Sequence, residues 1–259
     1  MPRVQTLLQG SLLTTNQGEI AFCAVTLVEG PDAEGRTRRI VVDTGSSGRL
    51  GALTEALSRR GLTGSDIDTV VLTHAHWDHM QLLDPFDRAV FRVHPAELDY
   101  IRHPHAGDFA TPRWTRAVLD RYDVREVTGD TELIPGVRIV EAPGHSAGTI
   151  AVAVDTPDGL AVVTGDAVQS VEVATARRNA LVFWDEELAN RSVARLVELA
   201  DVLHPGHDRA FRLSASGAAE YVQDFDLTVT GLSASTPGLR FAPSPPFAPT
   251  ISVPGHNPR

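Results

Sequence analysis

Residues 70–79 read Val-Val-Leu-Thr-His-Ala-His-Trp-Asp-His, and they place three imidazoles and one carboxylate directly behind a short apolar run. The run has the β-branched content of a buried strand, so the polar residues begin where a strand reaches the rim of a sheet. Side chains two positions apart on an extended segment point the same way, so we expect His74 and His76 to converge on one ion. Asp78 and His79 follow as the chain leaves the strand, and we expect them to face a second ion.

Imidazole and carboxylate groups at this density are typical ligands of a borderline divalent cation. Zinc fits them first, and iron and manganese are alternatives. A single surface histidine is usually only a solvated side chain. Four ligand-type residues in the order HxHxDH behind an apolar strand favour a metal site instead.

Three further motifs follow along the chain. They are Pro-Gly-His at 143–145, Gly-Asp at 165–166 and Pro-Gly-His at 205–207. Together and in this order, the four motifs resemble those of the metallo-β-lactamase-fold hydrolase superfamily. The resemblance covers about residues 4–226, and it implies an α/β fold, the four-layer αββα sandwich of the metallo-β-lactamase type.

The resemblance also implies which residues hold metal. Two Zn²⁺ per chain are expected, one held by His74, His76 and His145, the other by Asp78, His79 and His207, with Asp166 bridging them. Asp43 ends a predicted strand, and the resemblance makes it the carboxylate that accepts a ligand histidine's spare N–H and so fixes its tautomer. From the local sequence alone, an ordinary Asp-Thr-Gly turn explains Asp43 equally well.

The chemistry implied is metal-dependent hydrolysis. Two cations that share a water lower its pKa towards ~7, and the metal-bridging hydroxide attacks a carbonyl or phosphoryl centre. Asp78 is the expected catalytic proton acceptor beside this nucleophile. The predicted substrate is a small ester, lactone or thioester.

Several alternatives stay open. The motifs resemble the N-acyl-homoserine lactonases, but Gln169 stands where their substrate-side tyrosine is expected. Residues 190–197, 200–207 and 211–212 resemble the metallo-β-lactamase domain-containing protein 1 family, which has been linked to RNA cleavage, so a phosphodiesterase or ribonuclease is one alternative. A mononuclear iron persulfide dioxygenase and a non-catalytic, metal-stabilised binding module are the others.

Residues near the predicted metal site are candidate substrate contacts. The insert between the HxHxDH motif and the Pro-Gly-His at 143–145 carries His-Pro-His-Ala-Gly-Asp-Phe at 103–109, and in similar folds such an insert often walls the substrate cleft. His103 and His105 fit a plain loop equally well. The candidates are Trp77, Tyr100, His103, His105, Trp114 and Gln169.

Composition limits the classes of partner. The net charge of −10 argues against a nucleic-acid groove, because such grooves draw affinity from clustered Lys and Arg. The start of the chain lacks an apolar signal segment, and no run approaches the ~18 apolar residues of a membrane span. We therefore expect a cytoplasmic protein with a small-molecule substrate, and a homodimer stays open. Cys23 is expected to be a small buried hydrophobe.

The domain organisation follows from periodicity and composition. Residues 1–228 are expected to form the hydrolase domain, and the Pro-rich tail 229–259 to be extended or disordered. A third Pro-Gly-His, at 254–256, is treated as coincidence. One predicted helix begins near Leu50, a second spans 95–102, a third follows Asp185 and a fourth spans 216–226. The predicted strands span 7–14, 20–28, 37–42, 70–72, 89–93, 131–140 with a break at Pro135-Gly136, 149–154 and 160–163.

Overall fold

The computed structural model describes residues 1–214, 216–228 and 246–253. The strands in this part of the chain are β1 (Arg3–Leu8), β2 (Ser11–Thr15), β3 (Gly18–Phe22), β4 (Val25–Pro31), β5 (Thr37–Val42), β6 (Thr69–Val71), β7 (Val90–Val93), β8 (Val124–Glu126), β9 (Glu132–Ile134), β10 (Val137–Glu141), β11 (Ile150–Thr156), β12 (Gly159–Gly165), β13 (Leu181–Val182), β14 (Val202–Pro205), β15 (Phe211–Leu213), β16 (Ala219–Tyr221) and β17 (Thr250–Ile251). The helices are α1 (Leu50–Ser58), α2 (Trp77–Met80), α3 (Pro95–Tyr100), α4 (Thr115–Leu119), α5 (Val171–Ala176) and α6 (Glu186–Leu199).

Within these residues the long strands form two sheets that pack face to face. One sheet has the order β1-β4-β5-β6-β7-β8 and the other has the order β16-β15-β14-β12-β11-β10-β9. Alternate residues of a strand face opposite sides, and the burial follows this period: Ile40 and Val42 pack between the sheets, whereas Val41 packs outward against α1. On the second sheet, Val162 packs outward in a cluster with residues of α5 and α6. The fold is therefore the predicted αββα sandwich.

The sandwich brings the ends of several strands to one edge. Strands β5 and β6 are parallel, and so are β12 and β14, while β10 runs in the direction of β12 because both are antiparallel to β11. The segments that follow β5, β6, β10, β12 and β14 carry Asp43, the HxHxDH motif, His145, Asp166 and His207. All of the predicted ligands consequently leave the sheets at C-terminal strand ends.

Two predicted strands are each divided in two. Residues 7–14 belong to β1 and β2, and residues 20–28 belong to β3 and β4. Both breaks lie against the second Pro-Gly-His turn: a Cβ on Gly10 would lie 2.4 Å from the Gly206 oxygen, and the Ala24 N–H donates to that same oxygen (2.6 Å). The chain therefore bends there to make room for the segment that carries His207.

The helix predicted at 216–226 is wrong for the described residues. Residues Ala219–Tyr221 form β16, which pairs antiparallel with β15 and places Tyr221 opposite Phe211. The Arg209 guanidinium lies 3.6 Å from the centroid of the Tyr221 ring. These cross-strand contacts outweigh the local helical pattern.

Two residues of the predicted tail, Thr250 and Ile251, form strand β17. This strand pairs in parallel with β13, and Ile251 is buried against Val182 and Ala189, a packing that the sequence did not reveal. The boundary at residue 228 and the extended or disordered state of the tail stay predictions. The third Pro-Gly-His, at 254–256, lies outside the described residues. No helix in the described part of the chain has the length and apolar character that crossing a membrane requires.

Candidate metal centre

The structure brings together all seven residues that the sequence analysis assigned to metal binding. One ligand atom each from His74, His76, His145 and Asp166 lies within 4.8 Å of the others, and the same holds for Asp78, His79 and His207. We call His74, His76 and His145 the first cluster and Asp78, His79 and His207 the second cluster. All seven residues are buried.

The first cluster has the spacing of three nitrogens around one ion. The His145 Nε2 atom lies 3.2 Å from His74 Nε2 and 3.0 Å from His76 Nδ1. Ligand nitrogens about 2.0–2.1 Å from a tetrahedral zinc ion are roughly 3.3 Å apart, so the observed distances fit. Burial, together with the neighbouring His76, lowers the pKa of His145 to about 4. Burial likewise holds the pKa of His74 well below its usual value.

The second cluster is crowded by carboxylates. His207 Nε2 lies 3.3 Å from both Asp78 Oδ2 and Asp166 Oδ1, and His79 Nε2 lies 3.3 Å from Asp166 Oδ1. Burial lowers the pKa of His207, but the Asp166 and Asp78 carboxylates outweigh it and raise it to about 10. Burial raises the pKa of Asp166, but His207 and His79 hold it well below the usual range.

Asp166 connects the two clusters. Its Oδ1 atom faces His79 and His207, and its Oδ2 atom lies 3.6 Å from His145 Nε2. Two buried atoms here, His79 Nε2 and Asp166 Oδ1, have no hydrogen-bond partner among the described residues. Leaving buried polar atoms unpaired is costly, and a cation between them would satisfy both. The residues present therefore fit a pair of ions.

Asp43 takes the position that the resemblance implied. It has φ 58°, a left-handed conformation in which Asp is among the tolerated residues. Its Oδ2 atom accepts from His79 Nδ1 (2.8 Å) and from the Thr73 hydroxyl (2.8 Å), and its Oδ1 accepts from the Thr73 N–H (2.8 Å). Asp43 thus fixes both the His79 tautomer and the start of the HxHxDH segment.

Backbone carbonyls orient two other histidines. His145 Nδ1 donates to the Leu181 carbonyl oxygen (2.6 Å), and His207 Nδ1 donates to the Phe22 carbonyl oxygen (3.2 Å). The turn before His145 depends on Gly144, which has φ 132° and where a Cβ would lie 2.0 Å from Ala189 N. Only glycine allows α6 to pack this closely against the turn.

Asp108 was missed by the sequence analysis. Its side chain is fully buried, and its Oδ2 atom lies 3.6 Å from His76 Nε2, on the ring side opposite the first cluster. Asp108 also accepts from the Tyr100 hydroxyl (2.7 Å) and from the Thr111 hydroxyl (2.6 Å). The available signal was the Asp-x-x-Thr pattern in the insert, which is typical of a turn closed by its own side chains.

Glu97 was also missed. It is fully buried, and it accepts from the Ala75 N–H (2.9 Å), the Ser146 hydroxyl (2.7 Å) and the Gly148 N–H (2.9 Å). These donors belong to the HxHxDH segment and to the segment that carries His145. One carboxylate therefore ties together the two chain segments that supply the first cluster.

The predicted substrate contacts lie in different places. Tyr100, His103 and His105 line one cavity of about 540 Å³ together with Trp184. Trp77 is half-buried at the start of α2, and Trp114 is exposed and is not part of that cavity lining. Gln169 is buried, with its Oε1 accepting from the Ala180 N–H (3.2 Å). Substrate contact by these six residues stays a prediction.

Two other buried residues, His204 and Cys23, lie outside both clusters. His204 is buried in β14 and belongs to neither cluster of ligand atoms in the described residues. Burial lowers its pKa to about 4. Cys23 is buried, and burial raises the pKa of its thiol far above the usual value. Neither residue therefore competes with the two clusters.

Comparison with known proteins identifies the family. The sequence profile of the metallo-beta-lactamase superfamily matches residues 20–207. The chain belongs to this superfamily. It shares the superfamily's metal-dependent hydrolase fold, and its ligand pattern is complete.

Individual relatives are more distant. The metallo-beta-lactamase domain-containing protein 1 of Xenopus laevis is 27% identical over 198 residues, which is 75% of this chain and 74% of that protein. The N-acyl homoserine lactonase of Bacillus cereus is 28% identical over 202 residues, or 76% of each chain. A crystal structure of the Bacillus thuringiensis lactonase AiiA with N-decanoyl-L-homoserine at its active site aligns with a TM-score of 0.62 and 22% identity, and the alignment covers 79% of this chain and 92% of that one.

Proposed function

We propose that this chain is a dinuclear zinc hydrolase that cleaves a small ester, lactone or thioester. The observation that carries the proposal is the placement of Asp166, which turns one carboxylate oxygen towards each cluster. Five imidazoles and two carboxylates fit zinc well, and iron or manganese less closely. Lactonases among the relatives support the choice of an acyl substrate.

The role of the metal would be to supply the nucleophile. Zinc ions lower the pKa of a bound water towards ~7 and polarise a carbonyl oxygen. The chain itself supplies the geometry, with Asp43 holding His79 and Leu181 holding His145. The Asp78 carboxylate lies 3.7 Å from His79 Nε2 and 3.3 Å from His207 Nε2. It would accept the proton of the attacking hydroxide and pass it to the leaving group as the tetrahedral species collapses.

The acidic character of the chain favours this proposal over a nuclease. The net charge is −10, and the cavity beside the first cluster is lined by Asp185 and Glu186. Such a surface repels a phosphate backbone. A small-molecule substrate therefore fits best, while the cytoplasmic location and the homodimer stay predictions.

The test is metal analysis followed by a substrate panel. We expect two zinc ions per purified chain, and turnover of lactones or thioesters that is lost on chelation and regained with zinc. The panel should include a cephalosporin, a phosphodiester and a persulfide. Fewer than one metal ion per chain, with no activity restored by zinc, would contradict the proposal. Loss of stability on chelation without any turnover would indicate a binding module instead.

A further inference from the structure

A groove lies beside the first cluster and is not used by the proposed chemistry. Its volume of about 540 Å³ falls in the range of small-molecule binding sites. Its apolar walls are Tyr100, Trp184 and Val253. The groove is connected to the metal centre through Tyr100, whose hydroxyl donates to Asp108, the residue next to His76.

The backbone around Trp184 is fixed on both sides. The Phe183 N–H donates to the His145 carbonyl (2.9 Å), and the Asp185 N–H donates to the Gly144 carbonyl (3.1 Å). Successive side chains of such a segment point in opposite directions. Phe183 accordingly lies edge-on to the His76 ring, with centroids 5.0 Å apart, and Trp184 turns outward with 47% of its surface exposed. A large aromatic ring is thus presented to solvent on a rigid segment.

Tyr100 forms the second aromatic wall. Its ring lies edge-on to Trp184, with centroids 5.8 Å apart and an interplanar angle of 78°. Its hydroxyl is already engaged by Asp108 (2.7 Å), so the ring itself is what it offers the groove. Two fixed rings at nearly a right angle give a planar guest one face to stack on and one edge to meet.

The C-terminal segment forms the third wall. The Ser252 N–H donates to the Val182 carbonyl (2.7 Å), and Val253 packs against the buried Val182, Ala189 and Ile251. Strand β17 therefore places an apolar side chain opposite the two rings. The polar side chains that line the groove are His103, His105, Asp185 and Glu186. Glu186 is paired with Arg178 (2.9 Å), which leaves the Asp185 carboxylate to repel an anionic guest.

We propose that the groove between Tyr100, Trp184 and Val253 binds a planar, non-anionic aromatic group of the substrate. The inference rests on the proposed function, because it assigns a substrate class to the same centre. The choice of an aromatic over an aliphatic group follows from the two rings, since aromatic pairs gain more than their buried area supplies.

The test compares two neutral probes of similar size on the zinc-loaded full chain. N-benzylacetamide and N-(cyclohexylmethyl)acetamide are titrated, and binding is followed by the NMR signals of the probe, which do not depend on a tryptophan of the chain. We expect the benzyl probe to bind about 3- to 10-fold more tightly. Trp184→Leu, which keeps an apolar side chain, should abolish this preference, and Trp184→Phe should retain it. Val253→Asp should weaken the binding of both probes.

The matched control is Phe225→Leu. Phe225 is 49% exposed, close to the value for Trp184, and does not line the groove, so its loss should leave the preference unchanged. Equal affinity for the two probes in the unmodified chain, or an undiminished preference in Trp184→Leu, would overturn the inference. Binding is measured without turnover. Tight aromatic binding in a chain that hydrolyses no ester, lactone or thioester would therefore sink the proposed function and leave the groove assignment standing.

Discussion

The two clusters are held by different parts of the fold. The second cluster is oriented by Asp43, which directly follows β5, and by Phe22, which ends the β2–β3 hairpin. The first cluster is contacted by Asp108 of an insert and by Leu181 of the short strand β13. The histidines of the second site are therefore oriented by residues from the first 43 positions, and those of the first site by residues beyond position 100.

The clusters also differ in protonation. Burial lowers the pKa of His145 to about 4, whereas carboxylates raise the pKa of His207 to about 10 despite its burial. Before metal binds, His145 is therefore neutral at pH 7, whereas His207 carries a proton between the neighbouring acids. The difference suggests that the two sites load metal with different dependence on pH.

Removing Asp166, the carboxylate between the clusters, should impair metal binding at both of them. In Asp166→Ala both clusters lose a ligand, so we expect the zinc content to fall below two per chain and hydrolysis to drop by more than ~10²-fold, beyond the usual effect of losing a residue that only orients a ligand. Elemental analysis and initial rates measure both. Asp155→Ala, at an exposed position of β11, is the control, and a similar loss there would refute the assignment.

Asp43→Asn and Asp108→Asn should each weaken zinc binding at a different cluster. Asp43→Asn removes the carboxylate that accepts from His79, and Asp108→Asn removes the negative charge 3.6 Å from His76 Nε2. We therefore expect zinc affinity to fall about 10- to 100-fold at the second site for Asp43→Asn and at the first site for Asp108→Asn. Asn tolerates the left-handed backbone at residue 43, so the fold should persist. Zinc titration with a competing chelator resolves the two steps. Loss at the same step in both variants would contradict the comparison.

Proton release should differ between the two binding steps. At pH 7 His207, with a pKa of about 10, is protonated. His79 is protonated as well, because neighbouring negative charges hold its pKa well above the usual value despite its burial. Both must lose a proton to bind zinc, whereas His145 is already neutral. We expect the second-cluster step to release more protons than the first-cluster step at pH 7, and its affinity to rise as the pH approaches 10. Calorimetry in buffers of different ionisation enthalpy counts the protons. Equal release in both steps would argue against the pKa difference.

His204 isolates the effect of burial. Its pKa falls from 6.5 to about 4 without an acidic partner, so at pH 5 the unfolded chain binds a proton that the folded chain does not. Above the unfolded pKa of 6.5, His204 does not lower the stability of the fold. As the pH falls from 6.5 towards 4, protonation of His204 in the unfolded chain lowers the free energy of unfolding, by about 2 kcal/mol at pH 5. His204→Leu should reduce the loss of unfolding free energy between pH 7 and 5 by about that amount in urea titrations. An unchanged pH dependence would show that His204 does not titrate this way.

Sequence predicted the parts of the centre that are local or that form short motifs. The HxHxDH segment, His145, Asp166 and His207 stand in fixed local contexts, so their pattern is visible along the chain. Asp108 and Glu97 act across the fold, and Glu97 reaches Ser146, 49 positions away. The Asp-x-x-Thr pattern at Asp108 indicates only a turn, and nothing in the neighbourhood of Glu97 distinguishes it from an ordinary carboxylate.

The errors in the predicted fold have the same origin. Strand breaks at Gly10 and Ala24 are imposed by Gly206, and strand β16 forms only because β15 offers an edge. Periodicity reports how a segment prefers to fold by itself. It does not report a partner that lies far along the chain.

The hydrogen bond between His207 Nδ1 and the Phe22 carbonyl oxygen has a consequence for biosynthesis. It joins residues 185 positions apart, so the second cluster is incomplete until nearly the whole domain has left the ribosome. Contacts between such distant positions form late and slowly. Zinc loading of this half would accordingly be a post-translational event, exposed to whatever metal is then free.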